Sequence, residues 1–181
     1  IVFKEVVLVK SFGYNLWKGN NQFSSVEGHS GIENAIFKNL KKKLGALEKD
    51  NFYEINRDQI FFNEALKNIG NNPLNYLNLF VKKLFSFYFV NFNSSYPNYY
   101  NFFHILPATI ISLFSFPGLV LVWKKRDFKI EYLKIYLILT ITIFSVFFIL
   151  PRYKLTILPI QIMLVGYFIV YLMNKIKKKD D

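Results

Sequence analysis

The sequence predicts an α-helical membrane protein: three C-terminal transmembrane helices after a mostly helical and loop extracytoplasmic region that ends in an interfacial amphipathic helix. Three observations predict it. Beyond residue 104 the chain is dominated by long uncharged runs, whereas before it Lys, Asp, Glu and Asn recur every few residues. Helices on a soluble surface keep a polar face, so runs that are apolar all round point to lipid. Many of the cations behind the formal charge of +11 flank those runs, which is how membrane proteins use Lys and Arg.

The elements follow in chain order. The chain opens on Ile1, and Val2 to Val9 reads as the middle of a structured segment, so a longer protein is expected around it. Val6 to Val9 is a short β-branched run, either a strand or the end of an upstream membrane helix. Gly13 to Gly31 is rich in Gly, Asn and Ser and reads as a loop. Gly31 to Leu47 is a candidate helix, with Asn34 to Lys43 its better part. Arg57 to Ile69 carries an apolar stripe at Ile60, Phe61, Ala65, Leu66 and Ile69, the spacing of a helix. Gly70 and Asn71 close it, and Asn72 as N-cap with Pro73 at the first position opens the next.

That next helix, residues 73–91, has Leu77, Phe80, Val81, Leu84, Phe85 and Tyr88 on one face and Lys82 and Lys83 on the other. Such a helix lies in a membrane interface or packs on a soluble core; its aromatic C-terminal half and its direct connection to a span favour the interface. Asn93 to Phe103, with Tyr96, Tyr99, Tyr100, Phe102 and Phe103, fits an aromatic belt at membrane entry.

Three spans follow, over about 105–123, 132–151 and 155–173. Ile105 to Trp123 is 19 uncharged residues, about 28 Å of helix, enough to cross a bilayer core. Ile135 to Pro151 and Leu155 to Met173 are similar runs. The linker carries Lys124, Lys125, Arg126, Lys129 and Lys134, and the tail Lys175, Lys177, Lys178 and Lys179, whereas the turn between the last two spans has only Arg152 and Lys154. The positive-inside rule then puts linker and C-terminus in the cytoplasm and residues 1–103 outside it, periplasmic or extracellular in a bacterial inner membrane. Residues 104–181 form the transmembrane region with its basic tail.

Composition removes several classes of function. With no cysteine, thiolate metal sites, disulfide scaffolds and cysteine nucleophiles are excluded. His29 and His104 are far apart in sequence with no partner histidine, so a histidine-rich metal site is not expected, and no residue is named as a metal ligand or for a bound cofactor. The charge comes with no nucleic-acid recognition motif, which argues against nucleic acid as partner. Walker, dinucleotide, Gly-x-Ser-x-Gly and His-Glu-x-x-His patterns do not occur. Every Asp and Glu lies outside the apolar runs, so no intramembrane proton or ion path is indicated. Phe, Tyr, Ile, Asn and Lys are all abundant, as a low-GC genome would produce, so single runs such as Lys41 to Lys43 carry little meaning.

The sharpest local feature is Pro151-Arg152-Tyr153-Lys154, two fixed cations at a membrane boundary between apolar helices. An Arg fork and a Lys point charge suit a lipid-borne phosphate. The alternative is that both snorkel to headgroups and anchor the helices.

Two segments and that turn resemble a known family. Gly13-Tyr14-Asn15-Leu16-Trp17-Lys18-Gly19-Asn20-Asn21, followed by Gly28, resembles the G-x-N-L-W-x-G-N-N loop of bacterial membrane glycosyltransferases of the GT-C class, related to protein mannosyltransferases and lipid A aminoarabinose transferases. Glu54, Arg57, Asp58, Ala65-Leu66, Asn72-Pro73, Tyr76-Leu77 and Lys83 resemble that family's E-x-x-R-D … A-L … N-P-x-x-Y-L … K stretch. Arg152-Tyr153-Lys154-Leu155 before Pro159 is similar to its R-Y-R-L-P-I-x-P turn, with Lys154 for the usual Arg and Thr156 where Pro is common. The resemblance runs in the family's order over most of the chain.

The resemblance implies the C-terminal part of an enzyme that moves a sugar from a polyprenyl-phosphate donor to an extracytoplasmic acceptor, whether glycan, lipid or protein. Membrane lipids and that donor are the implied partners. The family's catalytic acid lies in an outer loop upstream, so no residue here inherits it. Arg152, with Lys154 or Lys83 assisting, is the expected site for the lipid phosphate. Asn15, Trp17, Asn20 and Asn21 either form a lip that stacks on and hydrogen-bonds a sugar or merely hold a tight loop. Gly13, Gly19, Gly28, Arg57, Asp58 and Tyr153 are expected to be structural, Arg57 and Asp58 as cap and ion pair at a helix start. The rival class is a non-enzymatic membrane anchor or assembly protein whose outer region binds a partner. A lipid-binding permease component is disfavoured by the uncharged spans.

Overall fold

The structure, a computed structural model, describes residues 11–27, 32–33, 35–92, 101–124 and 128–180. Among them the chain is mostly helical and forms no strand; its one isolated β-bridge pairs Glu27 with Ile149. The helices are α1 (Phe12–Gly19), α2 (Lys38–Gly45, entered through a 3-10 turn at Ala35–Phe37), α3 (Tyr53–Asn71), α4 (Pro73–Tyr88), α5 (Phe102–Lys124), α6 (Phe128–Val146) and α7 (Leu158–Asp180). A second 3-10 turn, Pro151–Thr156, precedes α7. The Val6 to Val9 run, Gly28, His29 and residues 93–100 of the aromatic segment lie outside the described residues.

Two apolar clusters organise these helices. The first joins α1, α2 and α3 through Leu16, Trp17, Phe37, Leu40, Phe61 and Ala65. The second joins the end of α4 to α5, α6 and α7 through Phe87, Tyr88, Val122, Leu137, Ile149, Ile157, Ile160 and Leu164. Helices α5 and α7 approach closely, and a Cβ at Gly118 would collide with the Leu164 backbone. Small residues at a crossing of two apolar helices permit this approach, and in lipid such contact is what holds spans together.

The loop expected over Gly13 to Gly31 is corrected: its first part, Phe12–Gly19, is helical. Local composition disfavoured a helix there, but contact with α3 overrides propensity. Asp58 accepts hydrogen bonds from the backbone N–H of Gly13 (2.8 Å) and Tyr14 (2.9 Å), so the first turn of α1 is capped from α3. The α3 stripe is longer than its apolar pattern, starting at Tyr53. Asn72 does cap α4, its side chain accepting from Asn75 N–H at 3.4 Å, with Pro73 in the first turn.

Two helices, α5 and α7, are long and apolar enough to cross a membrane. The middle element departs from the expected 132–151: α6 starts at Phe128 and ends at Val146, and Phe147 to Leu150 leave the helix. Lys129, Glu131 and Lys134 fall inside it, with Lys134 paired to Glu131, leaving Ile135 to Val146 as the uncharged part. The physical reason for the early end is that Ile149 pairs with Glu27 and is wholly buried, a contact that helical continuation would break.

Helix α4 ends at Tyr88, short of the expected 91. Leu74, Leu77, Val81 and Phe85 form an outward apolar stripe, Phe85 being 63% exposed. Lys83, expected on the polar side, is instead fully buried. The helix thus presents an apolar stripe and Lys82 outward and folds Lys83 onto the protein.

Candidate functional site

The Pro151–Thr156 turn draws three parts of the chain together. Tyr153 is half-buried, its ring 4.9 Å from that of Phe144. Lys154 points inward: its Nζ lies 2.6 Å from Glu27 Oε1 and donates to the Phe89 carbonyl at 3.1 Å. Glu27 is only 1% exposed and also accepts from the Ser86 hydroxyl at 2.8 Å. A carboxylate this deep is tolerable only when paired and hydrogen-bonded. Burial pulls the Lys154 ammonium below its ordinary value, and the charge and hydrogen bond of Glu27 counter this only in part. Arg152, in the same turn, stays exposed, its guanidinium carbon 5.7 Å from the Tyr153 ring.

Beside this turn lies a cleft of about 240 Å³ between the end of α4, the start of α5 and the start of α7. Phe89, Pro107, Ala108, Ile111 and Leu158 make most of its wall apolar; Lys154, His104 and Gln161 are its polar members. Gln161 donates to the Tyr88 carbonyl at 2.9 Å, and the Tyr88 hydroxyl is 2.9 Å from Ser115 Oγ. These bonds satisfy polar groups inside an otherwise apolar junction and hold α4, α5 and α7 in place. The cleft is thus an apolar trough with one ammonium, that of Lys154, in its wall.

The expected phosphate residues therefore separate. Lys154 lines the cleft, and Arg152 is exposed in the same turn without lining it. Lys83 does not join them: with no exposed surface, its Nζ donates to the carbonyls of Gly19 (2.8 Å) and Phe147 (2.6 Å). Burial lowers its pKa to about 7. The assisting role expected for Lys83 is corrected on these grounds, since reaching a lipid phosphate would break both bonds.

The expected sugar lip is likewise corrected. Trp17 is fully buried against Phe37 and Phe61, at ring distances of 5.0 Å and 5.2 Å, and has no face open to a sugar. Asn20 donates to the carbonyls of Leu16 (2.8 Å) and Val146 (2.7 Å), and Asn21 to that of Trp17 (3.2 Å). These are the orphan carbonyls at the ends of α1 and α6, so both amides act as C-terminal caps. Asn15 is half-buried and bonds Ser11. A Cβ at Gly13 would strike the Asp58 carbonyl, and one at Gly19 the Phe147 backbone. Arg57 lies over the Tyr14 and Phe61 rings, at 5.6 Å and 5.7 Å, rather than pairing with Asp58, and the cap made by Asp58 serves α1, not its own helix.

Glu27, Ser86 and Gln161 were not singled out from the sequence. Gln161 had a signal, a lone amide within an apolar run, which in a span marks a specific contact. Glu27 had none, because its partner lies in the 3-10 turn before α7. Among the described residues no group of three or more His, Asp or Glu side chains gathers as a metal site. Comparison of the chain with protein-family models, curated proteins and solved structures finds no match.

Proposed function

We propose that this chain is part of an integral-membrane glycosyltransferase that uses a polyprenyl-phosphate-linked sugar, and that it holds the lipid-phosphate end of the donor. The observation that carries the reading is the mostly apolar cleft that Lys154 lines, with Arg152 exposed two residues away in the same turn. The isoprenoid chain would lie along Phe89, Pro107 and Leu158, its phosphate at the turn. Lys154 is largely neutralised by Glu27, so Arg152 supplies the uncompensated charge. In transfer, an acceptor oxygen attacks the anomeric carbon, the bond to the phosphate oxygen breaks, and the phosphate departs with the electron pair. Arg152 stabilises that developing charge. The proton of the acceptor goes to a base outside the residues assigned here.

Two apolar helices support the same reading. Helices α5 and α7 qualify by length and composition. Helix α6 is proposed as the third, its Lys129 and Lys134 end at the cytoplasmic headgroups and its outer end completed by the buried Phe148 to Pro151 segment. The C-terminal tail is then cytoplasmic and residues before α5 lie outside, with the Leu74, Leu77, Val81 and Phe85 stripe of α4 in the outer interface.

The test is binding of a short-chain polyprenyl phosphate to the chain in phosphatidylcholine nanodiscs. Saturable binding is expected, weakened about tenfold or more by Arg152→Ala, the usual effect of losing a charge-assisted contact. Leu158→Trp, which fills the cleft, should weaken it as well. Unchanged binding in both variants returns Arg152 to headgroup anchoring. One observation favours the rival, a non-enzymatic anchor: Asn20, Asn21, Asp58 and Lys83 are all engaged in internal bonds. That reading gains if no polyprenyl phosphate binds.

A further inference from the structure

A second cleft, of about 490 Å³, opens between α4 and the segment Ser24–Val26. One wall is the α4 face bearing Asn75, Asn78 and Lys82, which recur at helical spacing and so line up on one side. The facing wall is Ser24, Ser25 and Val26, and Asn91 closes the end. Its volume falls within the roughly 300–1,000 Å³ typical of small-ligand clefts. Val26 is followed directly by Glu27, whose carboxylate pairs with Lys154 in the wall of the first cleft.

The chemistry of this cleft is distinctive. Among the described residues its lining has three primary amides, two hydroxyls and one ammonium, with no carboxylate and no aromatic ring. The Ser24 hydroxyl is occupied, donating to the Lys18 carbonyl at 3.0 Å, and Ser25 donates to the Glu27 carbonyl at 2.6 Å. The side-chain amides of Asn75 and Asn78 are exposed and make no hydrogen bond within the described residues; the bond from Asn75 to the Asn72 cap is made by its backbone N–H. An amide offers a donor and an acceptor side by side, which matches adjacent hydroxyls on a sugar ring. Leu79 and Val26 add an apolar patch for the C–H face of such a ring.

We infer that the cleft between Ser24–Val26 and the Asn75, Asn78 and Lys82 face of α4 binds a neutral, hydroxyl-rich glycan. That this glycan is the acceptor rests on the transferase reading; the binding itself does not. The experiment uses the full chain in phosphatidylcholine nanodiscs, titrated with maltotetraose, mannotetraose, chitotetraose and, as the acidic control, tetragalacturonate. At least one neutral tetrasaccharide is expected to bind saturably and to weaken about tenfold in the Asn75→Ala/Asn78→Ala variant, with Lys82→Gln altering it little. Both substituted positions are exposed, so the fold should be kept, and unchanged circular dichroism checks this. No neutral binding, binding indifferent to the double variant, or binding only of tetragalacturonate that Lys82→Gln removes would each overturn the inference. Polyprenyl phosphate binding, read on the same samples, separates the two ideas: glycan binding that persists without it defeats the transferase reading and leaves this site standing.

Discussion

Lys83 joins three elements through one nitrogen, tying α4 to the end of α1 at Gly19 and the end of α6 at Phe147. A neutral amine has two N–H donors and so keeps both bonds, while a charged one loses its hydration without a carboxylate in return. This is why burial brings its pKa down from 10.5 to about 7. In the unfolded chain the group titrates near 10.5. Between those values the unfolded state binds more protons, so stability should climb with pH across that window and level off beyond it. The expected outcome is that the stability difference between wild type and Lys83→Met shifts in favour of wild type from pH 7 to pH 10. Denaturant unfolding at the two pH values measures it, and a pH-independent difference would show that Lys83 does not titrate there.

At the scale of elements, α1 shows how a short helix is held by others. At 8 residues it is too short to persist alone in water. Asp58 supplies two of its missing N-terminal bonds, and Asn20 and Asn21 serve its C-terminal end. Asp58→Ala should therefore cost about 2–4 kcal/mol, the range for losing charge-assisted hydrogen bonds to a helix start. Asp58→Asn, which keeps one acceptor, should cost less. Thermal unfolding of the three proteins side by side checks the order, and equal stability of Asp58→Ala and wild type would mean the cap is idle.

For the whole molecule, the open quantity is the number of crossings. If only α5 and α7 span, residues 71 and 177 lie on the same side of the membrane; if α6 spans as well, they lie on opposite sides. The chain has no cysteine, so single-cysteine labelling needs no background removal. With three spans and a cytoplasmic C-terminus, Asn71→Cys should react with an impermeant maleimide in intact cells and Lys177→Cys only after lysis. Both positions are exposed, so accessibility to reagent is set by the bilayer alone. Equal labelling in intact cells would reduce the count to two.

Much of the helical layout was legible in the sequence, because apolar periodicity and uncharged length are local properties. The α3 stripe, the Asn72–Pro73 start of α4 and the apolar bodies of α5 and α7 all follow from residues close in the chain. Charge placement, likewise local, marked Arg152 and Lys154 as a pair at a boundary. What only the tertiary structure decided is what those polar groups face. Glu27 meets Lys154 across more than a hundred residues, Lys83 turns inward to Gly19 and Phe147, and Trp17 is enclosed by Phe37 and Phe61. The reason is physical: a hydrophobic pattern determines which side of a helix avoids water, but the partner of a buried charge is chosen by whichever distant backbone or side chain the packing brings within about 3 Å.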